Sequence, residues 1–381
     1  MVKEFEKYPA FAKINLSNLA HNVRIAQEKI HKTISDKAEI LAVIKADAYG
    51  HGVVMVAKRL EKENVNHFAV ANIDEAVELR KNNIGGMILI LGCILPSRYA
   101  DAADNDISVT VESYDALKNI EAFAKKENKK IKIHIKLNTG MNRIGFATYD
   151  NKISCELVKS LSILRESKNL LCEGIFSHFS NGDDEDKSIT DYQFKKFMYT
   201  VNELEKMGFC FRYRHICNSV GTLYYPEFHL DLVRYGIGLY GCEYEDMGIL
   251  PVMSFKAHIV AVHNIKKGES IGYSGTFTAQ HDMRVATVCA GYADGVDRLL
   301  SNRGYVLCHD KRAKILGRVC MDMMMIDVSD IDNAKLYDIV TIFGKDENET
   351  LHVEEDARLC GTISYELLCR IGKRAKRIYE E

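Results

Sequence analysis

The run Ile40-Leu-Ala-Val-Ile-Lys45 sets a lysine directly after five apolar residues and just before the glycines Gly50 and Gly52. An apolar run without alternation reads as a strand buried on both faces. Lys45 then stands at a carboxyl end, where α/β sheets and barrels collect their chemistry. Partial desolvation there lowers an amine's pKa and frees it as nucleophile or base. The same placement recurs. Lys136, Asn138, Met141 and Arg143 lie at the end of the run 131–136 or just beyond it, and His178 follows 171–176. His215, Asn218 and Ser219 close or follow 211–216, and Arg234 and Gly236 follow 229–233. Singly, each reads as a solvated rim residue. Together they form a basic cup around a lysine.

Gly236-Ile-Gly238-Leu-Tyr-Gly241 has the spacing of a dinucleotide fingerprint, but the following Cys242-Glu-Tyr-Glu-Asp-Met-Gly is no amphipathic helix, so that reading lacks its context. Glycines after an eighth strand, with Ser219 after the seventh, still suit a phosphate held by backbone N–H groups. A phosphate, a nucleophilic lysine and a nearby arginine suggest pyridoxal 5'-phosphate held as a Schiff base.

The elements that must position these groups alternate. Strand-like runs at 40–44, 67–70, 87–91, 107–111, 131–136, 171–176, 211–216 and 229–233 are separated by helical spacing, as at 73–81, 113–126, 155–166 and 191–207. Asn15-Leu-Ser-Asn opens an earlier amphipathic helix, with Ser17 or Asn18 expected as its cap. This rhythm predicts an α/β fold, a (β/α)8 TIM-like barrel, with a doubly wound sheet as the alternative. Near Pro251 the texture changes to short strands with Gly- and Asp-bearing turns, at 255–262, 284–290, 305–308, 314–316, 323–328 and 338–343, closed by one helical pattern at 363–371. The expected domains are a barrel over 1–248 and a mostly-β domain over 249–381, with residues about 8–16 able to pair with the second.

Composition limits the partners. The chain has 381 residues, 47% hydrophobic and 27% charged, with a formal net charge of -2. Nothing there asks for nucleic acid or an anionic membrane. The N-terminus has no apolar signal region and no run would span a bilayer, so a cytoplasmic location is expected. The 11 cysteines include no Cys-x-x-Cys and the 13 histidines no metal spacing, which predicts reduced thiols and no metal.

Lys45-Ala-Asp-Ala-Tyr49-Gly-His-Gly resembles the cofactor-lysine motif of bacterial alanine racemases. The similarity continues in register through Lys136-Leu-Asn-Thr-Gly-Met-Asn-Arg143, Ser177-His178-Phe, His215-Ile-Cys-Asn218-Ser219 and Val233-Arg234-Tyr-Gly-Ile237. Beyond Pro251 it runs through Ile271-Gly-Tyr273-Ser, Gly291-Tyr292-Ala-Asp-Gly, Gly317-Arg318-Val-Cys-Met321-Asp and Thr362-Ile-Ser-Tyr365-Glu. The resemblance implies a homodimeric isomerase with shared sites that uses pyridoxal 5'-phosphate to interconvert L- and D-alanine for peptidoglycan. Lys45 would hold the cofactor and act as base on one face of the substrate Cα, and the partner subunit's Tyr273 on the other. Two bases are needed, because one base returning its proton to the same face regenerates the starting enantiomer. A phenol titrates near about 10, so Tyr273 needs support. His215 near the tyrosine and Arg234, facing the pyridine nitrogen, would belong to that supporting network. Tyr49, Ser219, Gly236, Ile237 and Tyr365 match phosphate-binding positions, and His178 the residue stacked near the ring. Arg143 would meet the substrate carboxylate, Lys136 matches a lysine that is carbamylated in many members, and Met321 would reach the substrate from the partner. Asn218 falls in the supporting motif, while Tyr292, Asp183, Arg298 and Arg318 match the entry corridor.

Some positions depart from that pattern: Asn138 replaces an acid, Met323 a glutamine, and the C-terminus lacks a usual proline. The ending is similar to the racemase domain of vancomycin-resistance serine racemases, which carry asparagine where Tyr365 stands, so Tyr365 favours alanine over serine. The alternatives are a serine or broader racemase, a fold-type III decarboxylase, which would not need Tyr273, and a non-catalytic cofactor carrier, which would need only the barrel.

Overall fold

The computed structural model describes residues 7–31 and 38–381. The chain folds as two compact units, one of residues 23–46 and 53–239, the other of residues 7–22, 47–52 and 240–381. Strand β1 (Ala10–Asn15) leads into the helix Leu16–His31. The cap of that helix is Asn15, whose Oδ1 accepts from the Asn18 N–H at 2.8 Å, rather than Ser17 or Asn18.

The first unit is a parallel barrel. Its strands are β2 (Glu39–Val43), β3 (His67–Val70), β4 (Met87–Ile90), β5 (Ser108–Val111) and β6 (Ile131–Asn138). A small hairpin off β6, β7 (Phe146–Tyr149) with β8 (Lys152–Ile153), precedes β9 (Leu170–Phe176), β10 (Tyr213–His215) and β11 (Leu232–Tyr235). Sheet order is β10-β9-β6-β5-β4-β3-β2-β11, so neighbours follow chain order and β11 returns to β2. The remaining seam is bridged by Asp231 N–H to Arg214 O and Arg234 N–H to Cys217 O, both at 3.1 Å. No order reversal of a doubly wound sheet occurs, which decides between the two architectures. Helices Ile73–Lys81, Tyr114–Glu127, Cys155–Glu166 and Ser188–Lys206 are among the crossovers, and Ser113 and Ser154 cap two of them. The eighth strand starts later than position 229, because Pro226–Phe228 first makes a 3-10 turn.

The second unit is a closed antiparallel barrel of β12 (Met253–Ile265), β15 (Met283–Val288), β18 (Met324–Asp327), β17 (Lys311–Leu316), β16 (Tyr305–Cys308) and β19 (Ile339–Lys345), in that order around the ring. A register shift between Ile259 and Ala261 bends the long β12, so its first half pairs with β19 and its second with β15. Two short pairs, β13 (Ser270–Ile271) with β14 (Phe277–Thr278) and β19 with β20 (Thr350–Leu351), decorate the rim. β1 lies antiparallel to β12 and carries the last strand, β21 (Lys376–Glu380), in parallel. The helix Val353–Cys360, unexpected within a β-rich texture, has three carboxylates in its first turn, which suit the positive end of its dipole.

Candidate active site

Strand ends of the first barrel bring Lys45, Lys136, His178, His215 and Arg234 to one region. Burial, then the charges of Arg234, Lys136, Arg143 and Lys45, hold the His178 imidazole well below its ordinary pKa. Four basic side chains thus act on one ring. Arg234 is buried, and its guanidinium is held entirely by neutral acceptors. Nη1 donates to His215 Nδ1 at 2.9 Å, and Nη2 to Ser177 O at 2.8 Å, His178 Nδ1 at 2.9 Å and Ile216 O at 2.6 Å. Burial lowers the Arg234 pKa to about 10, which leaves it charged at neutral pH. The His215 ring stacks on Phe176 at 4.7 Å.

Lys136 is also buried, with Nζ 4.6 Å from the Phe176 ring centre. Burial first, then Arg234 and Arg143, push its amine well below the ordinary lysine value. Lys136, Asn138, Met141, Arg143, Ser177 and His178 line one pocket. Arg143 rides on a turn organised by Asn138, whose Oδ1 accepts from Gly140 N–H at 3.2 Å and Asn142 N–H at 3.0 Å. Thr139 and Ser177 hydroxyls bond at 2.8 Å beneath it.

After β11, Ser219 Oγ accepts from Gly236 N–H at 2.9 Å and Gly238 N–H at 3.4 Å, and Ile237 opens a 3-10 turn. Asn218 caps the short helix Ser219–Tyr224 by accepting from Gly221 N–H. Gly238 is glycine for packing: a Cβ there would lie 2.4 Å from the Tyr235 ring. That spacing, not nucleotide binding, accounts for the Gly-x-Gly pattern.

Lys45 opens a turn of unusual hand. Ala46, Asp47, Ala48 and Tyr49 have φ of 53°, 54°, 53° and 51°. Left-handed backbone costs non-glycine residues roughly 1–2 kcal/mol each, so neighbours must hold it. In the first unit Glu75 does so, accepting from Ala46 N–H at 2.8 Å and Ala71 N–H at 2.7 Å. In the second, Gly52 N–H bonds Asp47 O at 2.9 Å and Arg377 Nε bonds Gly50 O at 2.8 Å.

The other expected site residues belong to the second unit, apart from Asp183, which is exposed on the first. Tyr49 packs between Tyr240 at 4.8 Å and Tyr365 at 5.9 Å. Tyr273 sits on a rim turn between Gly272 at φ 73° and Ser274 at φ 61°, with its side chain 69% exposed. A Cβ on Gly272 would lie 3.4 Å from Arg318 N. The Tyr292 and Ala293 N–H groups bond Cys320 O and Met321 O, both at 3.0 Å. Tyr273, Tyr292, Arg318 and Met321 therefore cluster on one rim, while Arg298 lies exposed on the turn Arg298–Leu300.

Two family models match the chain, the alanine racemase N-terminal domain over residues 14–244 and the C-terminal domain over residues 252–379. The chain belongs to the alanine racemase family. Alanine racemase of Desulforamulus reducens is 42% identical over 379 residues, covering 98% of this chain and 99% of its own. That of Methanococcus maripaludis is 39% identical over 378 residues, with 98% and 99% covered. The solved alanine racemase of Clostridium difficile superposes with a TM-score of 0.90 at 34% identity, covering 98% of this chain and 96% of that one. Alanine racemases are isomerases that depend on pyridoxal 5'-phosphate. The donor set of the first barrel fits that group: the basic side chains of Arg234, Lys136, Arg143 and Lys45 around His178 suit an anionic phosphate and phenolate. No described helix is long and apolar enough to cross a membrane.

Sequence reasoning passed over Glu75 and His134. His134 stands two residues before Lys136, on the same face of β6, and strand alternation was the available signal.

Proposed function

We propose that this alanine racemase family isomerase works as a dimer, with Lys45 and the partner subunit's Tyr273 as the two proton-transferring groups on opposite faces of the alanine Cα. The observation that carries the reading is the basic cluster of buried Lys136 and Arg234 with half-buried Lys45 and His178, in a chain that matches the family along its length. Pyridoxal 5'-phosphate, when bound, would acidify the Cα–H by drawing electron density into its ring. Lys45 would hold it, with Ser219, Gly236, Ile237, Tyr49 and Tyr365 meeting its phosphate. Arg234, a cation held only by neutral acceptors, would face the ring nitrogen and oppose its protonation. His178, kept neutral, offers a flat face for the ring, and Arg143 a charge for the substrate carboxylate. Lys136, whose amine is shifted toward the neutral form that carbamylation requires, would then help position Arg143. Lys45 takes or returns the proton on one face and Tyr273 does so on the other, so inversion needs both.

The mostly-β domain, residues 249–381, would supply Tyr273 and Met321 to the partner's site, with Tyr292, Asp183, Arg298 and Arg318 along the approach. Exposure supports this: Tyr273, Met321 and Tyr292 are 69%, 52% and 44% exposed on one rim, an unusual display of large apolar surface. The cytoplasm, where L-alanine is available, is the proposed location.

Purified protein supplied with pyridoxal 5'-phosphate is expected to be yellow, and to lose that colour with borohydride or in Lys45→Ala. A chiral assay over alanine, serine, lysine and arginine should show alanine racemised fastest. A colourless protein, or serine turned over faster than alanine, overturns the reading.

A further inference from the structure

Arg234 can only donate hydrogen bonds, and this fixes protons well below the proposed site. Because Arg234 Nη1 donates to His215 Nδ1, that nitrogen carries no hydrogen. The proton of neutral His215 is therefore on Nε2, which faces His134 Nδ1 at 3.1 Å. His134 Nδ1 must accept, so its own proton is on Nε2. That atom is buried and has no hydrogen-bond partner; the nearest acid, Glu173 Oε2, is 4.0 Å away. The fold keeps room for this contact: a Cβ on Gly174 of β9 would lie 2.4 Å from His134 Nδ1. The His134 ring lies flat on Tyr213 at 6.0 Å and 13°. Burial holds its pKa near about 3, with the charge of His67 adding to the shift, so it stays the neutral acceptor that His215 requires.

We propose that His134 is a positioning residue for the racemase site: it accepts from His215 Nε2 and so locks the ring whose Nδ1 holds Arg234. The role of Arg234 beneath the cofactor rests on the proposed function, whereas the proton order rests on geometry alone. Without the acceptor, His215 keeps a buried N–H unmet, and its ring is free to turn Cδ2 toward Arg234. Neutron diffraction from the full-length protein without added cofactor should find deuterons on Nε2 of both His215 and His134 and on neither Nδ1. A deuteron on His215 Nδ1 overturns the proposal whether or not the protein racemises alanine. In holoenzyme, His134→Leu should lower kcat about tenfold, the factor one unmet buried hydrogen bond carries, with KM little changed. His134→Asn, whose amide oxygen can reach the place of Nδ1, should return kcat to within about threefold of the parent. Equal losses in the Leu and Asn variants would show a merely structural role and sink the idea. Gly174→Ala, which crowds His134 from across the strand, should mimic His134→Leu; unchanged kcat there also counts against it.

Discussion

The two halves of the proposed chemistry are built in opposite ways. In the first barrel, Arg234, His215 and Lys136 are buried, and Arg234 and His215 are fixed by bonds whose donors and acceptors can be named. On the second barrel, Tyr273 stands 69% exposed on a rim turn of strained backbone. A preorganised interior can hold a cofactor before any substrate arrives. An exposed aromatic group is organised only when another surface meets it. In the proposed function, that contrast gives cofactor chemistry to the fold of one chain and the second proton transfer to assembly.

Mixing two inactive variants gives the sharpest break of that contrast. Lys45→Ala and Tyr273→Phe should each lose roughly 10²–10⁴-fold in alanine racemisation, the usual worth of a positioned base. If sites are shared, a dimer with one chain of each variant has one site with both defects and one with neither. Random reassortment of equal amounts makes half the dimers mixed, each with one good site of two, so about a quarter of parental activity should return. A mixture no more active than its components would place both bases on one chain.

Tyr273→Phe alone should then separate the two directions. Single-turnover exchange of the Cα proton with deuterium should slow by about a hundredfold or more from one enantiomer and far less from the other. Equal slowing from both would argue against one base per face.

Much of this was legible in the sequence, and the omissions are physical. Buried parallel strands are continuous apolar runs, so all eight barrel strands and the polar residues at their ends could be placed within a few positions. The second barrel's strands were legible from their turns. Its helix Val353–Cys360 was not, because three carboxylates precede an apolar stripe too short to mark a helix. His134 was passed over because a histidine inside an apolar strand looks like core, and only Arg234, some hundred residues later, fixes its proton. The left-handed turn after Lys45 has no signature at Ala46, Asp47 or Ala48; the glycines at 50 and 52 mark a turn but not its hand.

That turn supplies the next test. Glu75 has two oxygens for two N–H groups, Ala46 after the lysine and Ala71 after β3. Glu75→Gln leaves one of them facing an amide NH2. The expected cost is about 1–2 kcal/mol of stability and a three- to tenfold fall in kcat, with the bound cofactor retained. If kcat is unchanged while stability falls, the turn is held for folding rather than for aiming Lys45.

The smallest effect on catalysis should come from a carboxyl buried in the second unit, away from its exposed rim. Asp356, in Val353–Cys360, is 3% exposed, and burial, then Glu355, lifts its carboxyl to about 8. Arg312 does little to relieve it, being bonded to Glu355 at 2.8 and 2.9 Å. A carboxyl with a raised folded pKa binds its proton more tightly in the native state than in the unfolded chain. Its contribution is therefore full below the unfolded value near about 4 and is lost as pH rises toward about 8, at up to about 1.4 kcal/mol per unit. Asp356→Asn removes the titration but keeps the shape. The variant should match the parent in denaturant midpoint near pH 4.5 and exceed it by about 2–4 kcal/mol near pH 8.5, with racemisation unchanged. A gain of equal size at both pH values would mean that the carboxyl is not held protonated by the fold. A gain accompanied by lost activity would tie this helix to Tyr365, five residues past its end, and so to the phosphate side of the proposed site.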